Sequence, residues 1–158
     1  MAIDRITLKN EILNGPLKSE LAPLVAAQDY QGIASVLNRR DAVTVIVPGS
    51  SFNHRELMDV MDPVMAASIL DKLEAAAATN SVVKWVLYSI KGDAGIDLSR
   101  PNARAQIDAL VAAGVLTASE AAALKALAER QGSRAELLFG IGTVVTAEDV
   151  SHALNGGY

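Results

Sequence analysis

The sequence predicts a mainly α protein, a compact bundle of short helices with at most a two-stranded β ribbon. Three observations carry that expectation. Hydrophobic residues make up 51% of the chain but aromatic residues only 4%, so alanine fills the difference, which favours close-packed helices over sheets. Helix starts are spelled out: Thr117 with Glu120 three residues later is a capping box, and Thr146 with Asp149 is a weaker version. Gly114, Gly132 and Gly140 stand where left-handed helix stops are expected. With a mean helix near three turns, this punctuation predicts about six to nine helices.

Taken in order, Ile6 to Leu13 reads as a short helix with Ile6, Leu8, Ile12 and Leu13 as its apolar members. Asn14-Gly15-Pro16 ends it, since glycine permits the reversal and proline cannot continue the bond ladder. Leu17 to Ala27 is a second helix, and Pro23 within it can mark a new first turn. Asp29 caps a third helix with Ile33, Val36 and Leu37 on one face. Asp41 to Val47 is the strand-like run, rich in β-branched residues and closed by Pro48-Gly49-Ser50-Ser51. It either pairs with Gly142–Val145 or crosses the surface as extended chain.

Asn53 caps a helix through Met61, and Asp62-Pro63 starts the strongest one. Val64, Ala67, Leu70, Leu73 and Ala77 follow the spacing of one buried face. Thr79-Asn80-Ser81 breaks the run. Val82 to Ile90 is apolar on most sides and reads as a buried helix, its β-branched content leaving a strand open. Trp85, the single tryptophan, is expected to be buried there. Gly92 to Gly95 is loop, Ser99-Arg100-Pro101-Asn102 starts a helix to Ala113, and Asn155 to Tyr158 is a flexible tail.

The 158 residues read as one helical domain, with a formal net charge of −4. A pI near 5.1 argues against nucleic acid as the main partner. No cysteine is present, so disulfides and thiolate metal sites are excluded. The segment MAIDRITLKN shows no apolar signal-peptide core, and no apolar run approaches the roughly 20 residues that span a bilayer.

Candidate chemistry is sparse. His54 and His152 are the two histidines, and neither lies in a metal-type spacing. Gly49-Ser50-Ser51 lacks the second glycine of a nucleophile elbow. Gly140-Ile141-Gly142 lacks a Walker lysine and a third glycine. Asp93 and Asp97 form half of a calcium loop, without its closing glutamate. Ala128 to Leu138 has the outline of a DNA-reading helix-turn-helix, but its second helix offers Arg134 alone before Glu136, Leu137, Leu138 and Phe139. No catalytic residue, metal ligand or cofactor site is assigned, and the chain is not expected to be an enzyme.

Ser133, Arg134, Ala135 and Glu136, then Leu138-Phe139-Gly140, then Thr143, Val144, Thr146, Asp149 and Val150 form a pattern within Gly132–Leu154. That stretch resembles small helical proteins encoded in the structural gene region of tailed bacteriophages. The stretch LKNEILNGPLKSELAPLVAAQDYQGIASVLN is similar to the opening of the same proteins. The resemblance implies a virion protein, assembled in the host cytoplasm with other virion proteins as a symmetric multi-copy component. Its expected post is the tail, the neck or a tail-fibre attachment. Head decoration or cement, and a small helix-turn-helix regulator, are the alternatives. Helices need their apolar faces for their own core, so assembly contacts are expected on the irregular segments Ala42–Phe52 and Gly140–Val145. Within them Val45, Ile46, Val47, Phe52, Ile141, Val144 and Val145 are the contact residues expected.

Overall fold

The computed structural model describes residues 3–156, and the fold is mainly helical. Among those residues the elements run α1 (Arg5–Asn14), α2 (Lys18–Ala26), α3 (Tyr30–Asn38), β1 (Val43–Ile46), β2 (Ser51–Phe52), α4 (His54–Val60) and α5 (Pro63–Ala77). Then come α6 (Ser81–Lys91), β3 (Ile96–Asp97), α7 (Pro101–Ala112), α8 (Ala118–Ala126), β4 (Glu129–Gly132), α9 (Arg134–Phe139) and α10 (Ala147–Asn155). Ten helices exceed the six to nine expected, because α4 and α9, at seven and six residues, fall below the mean length assumed. The expected tail falls partly on α10: Asn155 is its last residue, Gly156 closes it at φ 68°, and residues 157–158 lie outside the described part.

Local chemistry explains the boundaries. Asp4, Asp29, Asp62 and Asn80 each accept backbone N–H bonds from the first turn that follows. Four capping boxes are complete: Asn53 with Glu56, Thr117 with Glu120, Ser133 with Glu136, and Thr146 with Asp149. Gly114 and Gly140 have the positive φ of chain reversals, at 70° and 102°. Gly132 is no helix stop. It sits in β4 against Val45, where an added Cβ would lie 2.5 Å from the valine side chain. Close approach, not backbone handedness, requires glycine there.

The strands form two two-stranded pairings, β1 with β4 and β2 with β3. β1 therefore does not pair with Gly142–Val145. That segment is held as loop, since Asn38 takes both polar groups of Val145: its Nδ2 donates to the carbonyl at 2.7 Å, and its Oδ1 accepts from the N–H at 2.9 Å. The β2–β3 ribbon is antiparallel, with Ser51 opposite Asp97 and Phe52 opposite Ile96.

The chain gathers into two compact units. The first comprises residues 3–45 and 131–156. Its core is Leu8, Ile12, Leu21, Ile33, Leu37, Phe139, Val145 and Val150 with smaller neighbours. Ile6 points outward instead of joining it, one of the sequence expectations the packing corrects. Glu11 is buried and accepts two hydrogen bonds from Arg134, from Nε at 2.7 Å and from Nη2 at 2.8 Å.

The second unit comprises residues 46–130. Leu57, Ile69, Leu73, Val83, Leu87, Ile90, Leu98, Ile107, Leu110, Leu116 and Leu124 carry its core. In α5 the fully buried stripe is Ala66, Ile69 and Leu73, and Val64 stands in solvent. The alanine-rich helix offers several apolar stripes, and packing against α6 selects among them. Glu120 closes its capping box from inside the unit. Lys72 Nζ donates to it at 2.6 Å, Ser68 Oγ at 3.0 Å and the Thr117 N–H at 2.8 Å. The Lys72 ammonium first, then the Thr117 amide, hold this carboxyl down to about 2 against the opposing effect of burial.

Candidate assembly surface

The seven expected contact residues divide by packing. Val45 and Val145 are 3% and 1% exposed, so both are buried and are corrected as contacts; Val145 joins the core of the first unit. The alternation of β1 explains Val45: Val45 turns inward while Thr44 and Ile46 turn outward. Val47 is half-buried, its N–H donating to the Ala128 carbonyl at 2.8 Å. Phe52 is half-buried against the core of the second unit. Ile46, Ile141 and Val144 are exposed, at 41%, 39% and 63%.

Ile141 and Val144 project from a short loop anchored at its base. Gly142 donates its N–H to Glu136 Oε1 at 3.0 Å, and Thr143 Oγ1 donates to the Phe139 carbonyl at 3.1 Å. Gly140 and Gly142 both have positive φ, which lets so short a segment turn back on α9. The loop is thus a preset display of two aliphatic side chains.

A larger apolar face lies on α6, where no contact was expected. Val82 is 58% exposed, Trp85 66% and Tyr88 72%. Trp85 is therefore a surface residue, contrary to the sequence expectation. At 3.6 residues per turn, Val83, Leu87 and Ile90 form one stripe, and Val82, Trp85 and Tyr88 the stripe opposite. A segment apolar on most sides can bury only the stripe that meets its neighbours. The indole and phenol rings pack edge to face, centroids 5.9 Å apart at 75°. The i, i+3, i+6 spacing of the three residues was available in the sequence and marks the outer face once the inner stripe is chosen.

Beside this face an apolar cleft of about 190 Å³ runs between α6 and α7, lined by Val82, Val83, Val86, Ala109, Leu110 and Ala113 among others. The outward residues of α7 are small or uncharged over much of its length: Ala105, Gln106, Ala109 and Ala112 are exposed. Asp108, also exposed, is paired with Lys125.

The remaining sequence features are occupied by local structure. Ser50 Oγ donates to the Val47 carbonyl at 2.7 Å, as a turn serine does. Asp97 accepts from Ser99 and from Arg100 Nε, and these contacts hold its carboxyl below the ordinary value, the Ser99 hydroxyl contributing most. His152 Nδ1 lies 3.5 Å from Arg5 Nη2. His54 opens α4, with its Nδ1 buried and making no hydrogen bond. Among the described residues no three His, Cys, Asp or Glu side chains converge as metal ligands would. Within Ala128–Leu138 the chain forms β4, then the single short helix α9, whose Ala135, Glu136 and Phe139 are buried and whose Arg134 is bound to Glu11. No helix among the described residues is long and apolar enough to cross a membrane. Compared with protein-family models, curated proteins and solved structures, the chain matches none.

Proposed function

We propose that this chain is a non-enzymatic structural component of a tailed bacteriophage virion, placed in the tail, the neck or a tail-fibre attachment and acting through protein–protein assembly. The observation that carries the assembly reading is the outward face of α6, with Trp85 at 66% and Tyr88 at 72% exposure. Contiguous exposed apolar surface with aromatic residues marks interaction sites, because leaving it in water forgoes a stabilisation of roughly 25 cal/mol per Å². Ile141 and Val144 on their anchored loop are a second such display. The phage setting is supported by the resemblance of Gly132–Leu154, whose Ser133–Glu136 and Thr146–Asp149 elements are the capping boxes of α9 and α10.

Mass spectrometry of purified virions tests this reading. The protein is expected in the particle in a fixed ratio to the other virion proteins. Trp85→Ala with Tyr88→Ala, and separately Ile141→Ser with Val144→Ser, are then scored for incorporation. At least one pair is expected to stay folded and be lost from particles. A chain absent from virions, or fully incorporated with both pairs changed, would overturn the proposal.

A further inference from the structure

We infer that the outward face of α6 and the α6–α7 cleft form a two-fold interface with a second copy of this chain, Trp85 of each copy seating in the cleft of the other. The inference rests on the assembly reading and specifies its partner. Three features of the face select a second copy.

The first is self-complementarity. A ridge of two aromatic rings on α6 lies beside a cleft walled by Val82, Val86, Ala109 and Ala113. Around α6 the sequence of positions runs from Val86 at the cleft through Val82 to Trp85 and then Tyr88. One patch thus carries both the protrusion and its receptacle, as a two-fold interface requires. The cleft volume of about 190 Å³ exceeds the ~150 Å³ of an apolar cavity that holds a benzene ring, which is room for the six-membered ring of the indole.

The second is area. With about two thirds of each residue uncovered, Trp85 and Tyr88 together present roughly 200–350 Å². A specific interface takes about 600–1,000 Å² from each partner. The two rings supply between about a fifth and a little over half of that, and Val82 with Ala105, Ala109 and Ala112 is exposed alongside.

The third is charge. Lys84 flanks the ridge, Lys91 pairs with Glu74, and Asp108 pairs with Lys125. With Lys84 as the charge left unpaired at its edge, the patch meets its own copy with little like-charge repulsion. An oppositely charged partner would find little to read there.

The experiment uses the full chain. Sedimentation equilibrium is run over a concentration series, with tryptophan emission followed alongside. Trp85 is the single tryptophan, so its emission reports this surface alone. A monomer–dimer equilibrium is expected, with a dissociation constant on the order of micromolar and a blue shift as dimer forms. Trp85→Ala with Tyr88→Ala should raise that constant roughly 100-fold or more, as loss of paired aromatic anchors does. Ala109→Glu, which puts a charge in the receptacle, should do the same, and it decides the matter alone should the double variant lose its helical circular dichroism. A chain that stays monomeric with unshifted emission, or a dimer that survives these changes, overturns the inference. If the chain is monomeric but the ring variants are still lost from virions, the assembly reading stands with a different partner. If the chain dimerises through this face but is absent from virions, the interface stands and the virion reading fails.

Discussion

The first unit holds the buried carboxylate of Glu11 with two hydrogen bonds from one guanidinium; the second holds that of Glu120 with an ammonium, a hydroxyl and a backbone N–H. Inside, the two are built to one plan: a stripe of aliphatic side chains per helix and a buried carboxylate with its hydrogen bonds made. Outside they differ. In the first unit α3 buries Ile33, Ala34 and Leu37 and turns Gln31 and Ser35 to solvent. In the second α6 buries Val83, Leu87 and Ile90 and turns out Val82, Trp85 and Tyr88. Both inner stripes serve stability, so the outer face of α6 is the one that stability does not explain. Four changes probe that contrast between interior and exterior.

The largest effect is expected at Arg134. Its side chain is 14% exposed and that of Glu11 is 7% exposed. Arg134→Ala leaves a carboxylate buried without its cation, which costs about 3–5 kcal/mol. Urea denaturation followed by circular dichroism measures it. A loss below about 1 kcal/mol, the range of exposed pairs, would show that the interior of the first unit does not depend on this contact.

Glu120 supplies the matching probe in the second unit. Its carboxyl is held at about 2 in the fold against an ordinary 4.5. The unfolded chain therefore takes up this proton at a higher pH than the folded one, so protonation favours unfolding. The stability it contributes is fully present above about pH 4.5 and is lost as pH falls toward about 2. Glu120→Gln should be less stable than the parent at neutral pH, with the gap narrowing toward pH 2. Parallel curves across that range would mean that Glu120 is not held by Lys72 as described.

How much of this was legible in the sequence follows from the range of each interaction. Thr117–Glu120 and Thr146–Asp149 were legible because a capping box closes within four residues. The helix of Val82–Ile90 was legible too, but not its outer face, since the choice of stripe belongs to the neighbouring helices. β4 was not legible: Glu129, Arg130, Gln131 and Gly132 have little intrinsic preference for a strand, and only a distant partner makes them one. Of the expected contacts, Ile46, Ile141 and Val144 are exposed, while Val45 and Val145 went to the core. The sequence leaves the irregular segments open between strand pairing and surface; the alternation within β1 and the Asn38 clamp on Val145 divide them residue by residue.

Thr117→Ala removes the hydroxyl that accepts the Glu120 N–H at 3.2 Å. Loss of such a cap costs about 0.5–2 kcal/mol. The Glu120 side chain keeps its bond to the Thr117 backbone and to Lys72, so the effect should stay below that of Arg134→Ala. Coincident urea midpoints for variant and parent would mean that the cap adds nothing to the fold.

The smallest effect on stability is expected at the largest side chain. Burial of Trp85 would make Trp85→Ala cost roughly 3–5 kcal/mol. With 66% of the residue in solvent, the substitution should instead fall within about 0.5 kcal/mol of the parent, provided the chain is dilute enough to be monomeric. Its emission under the same conditions should be red-shifted and readily quenched by iodide. The two measurements together separate the uses of an exposed tryptophan. A residue that neither stabilises the monomer nor avoids water persists against a standing cost in solubility, and contact with another surface offsets that cost. A stability lowered by several kcal/mol, with blue-shifted emission at every dilution, would return Trp85 to the core and erase the difference between the outer faces of α3 and α6.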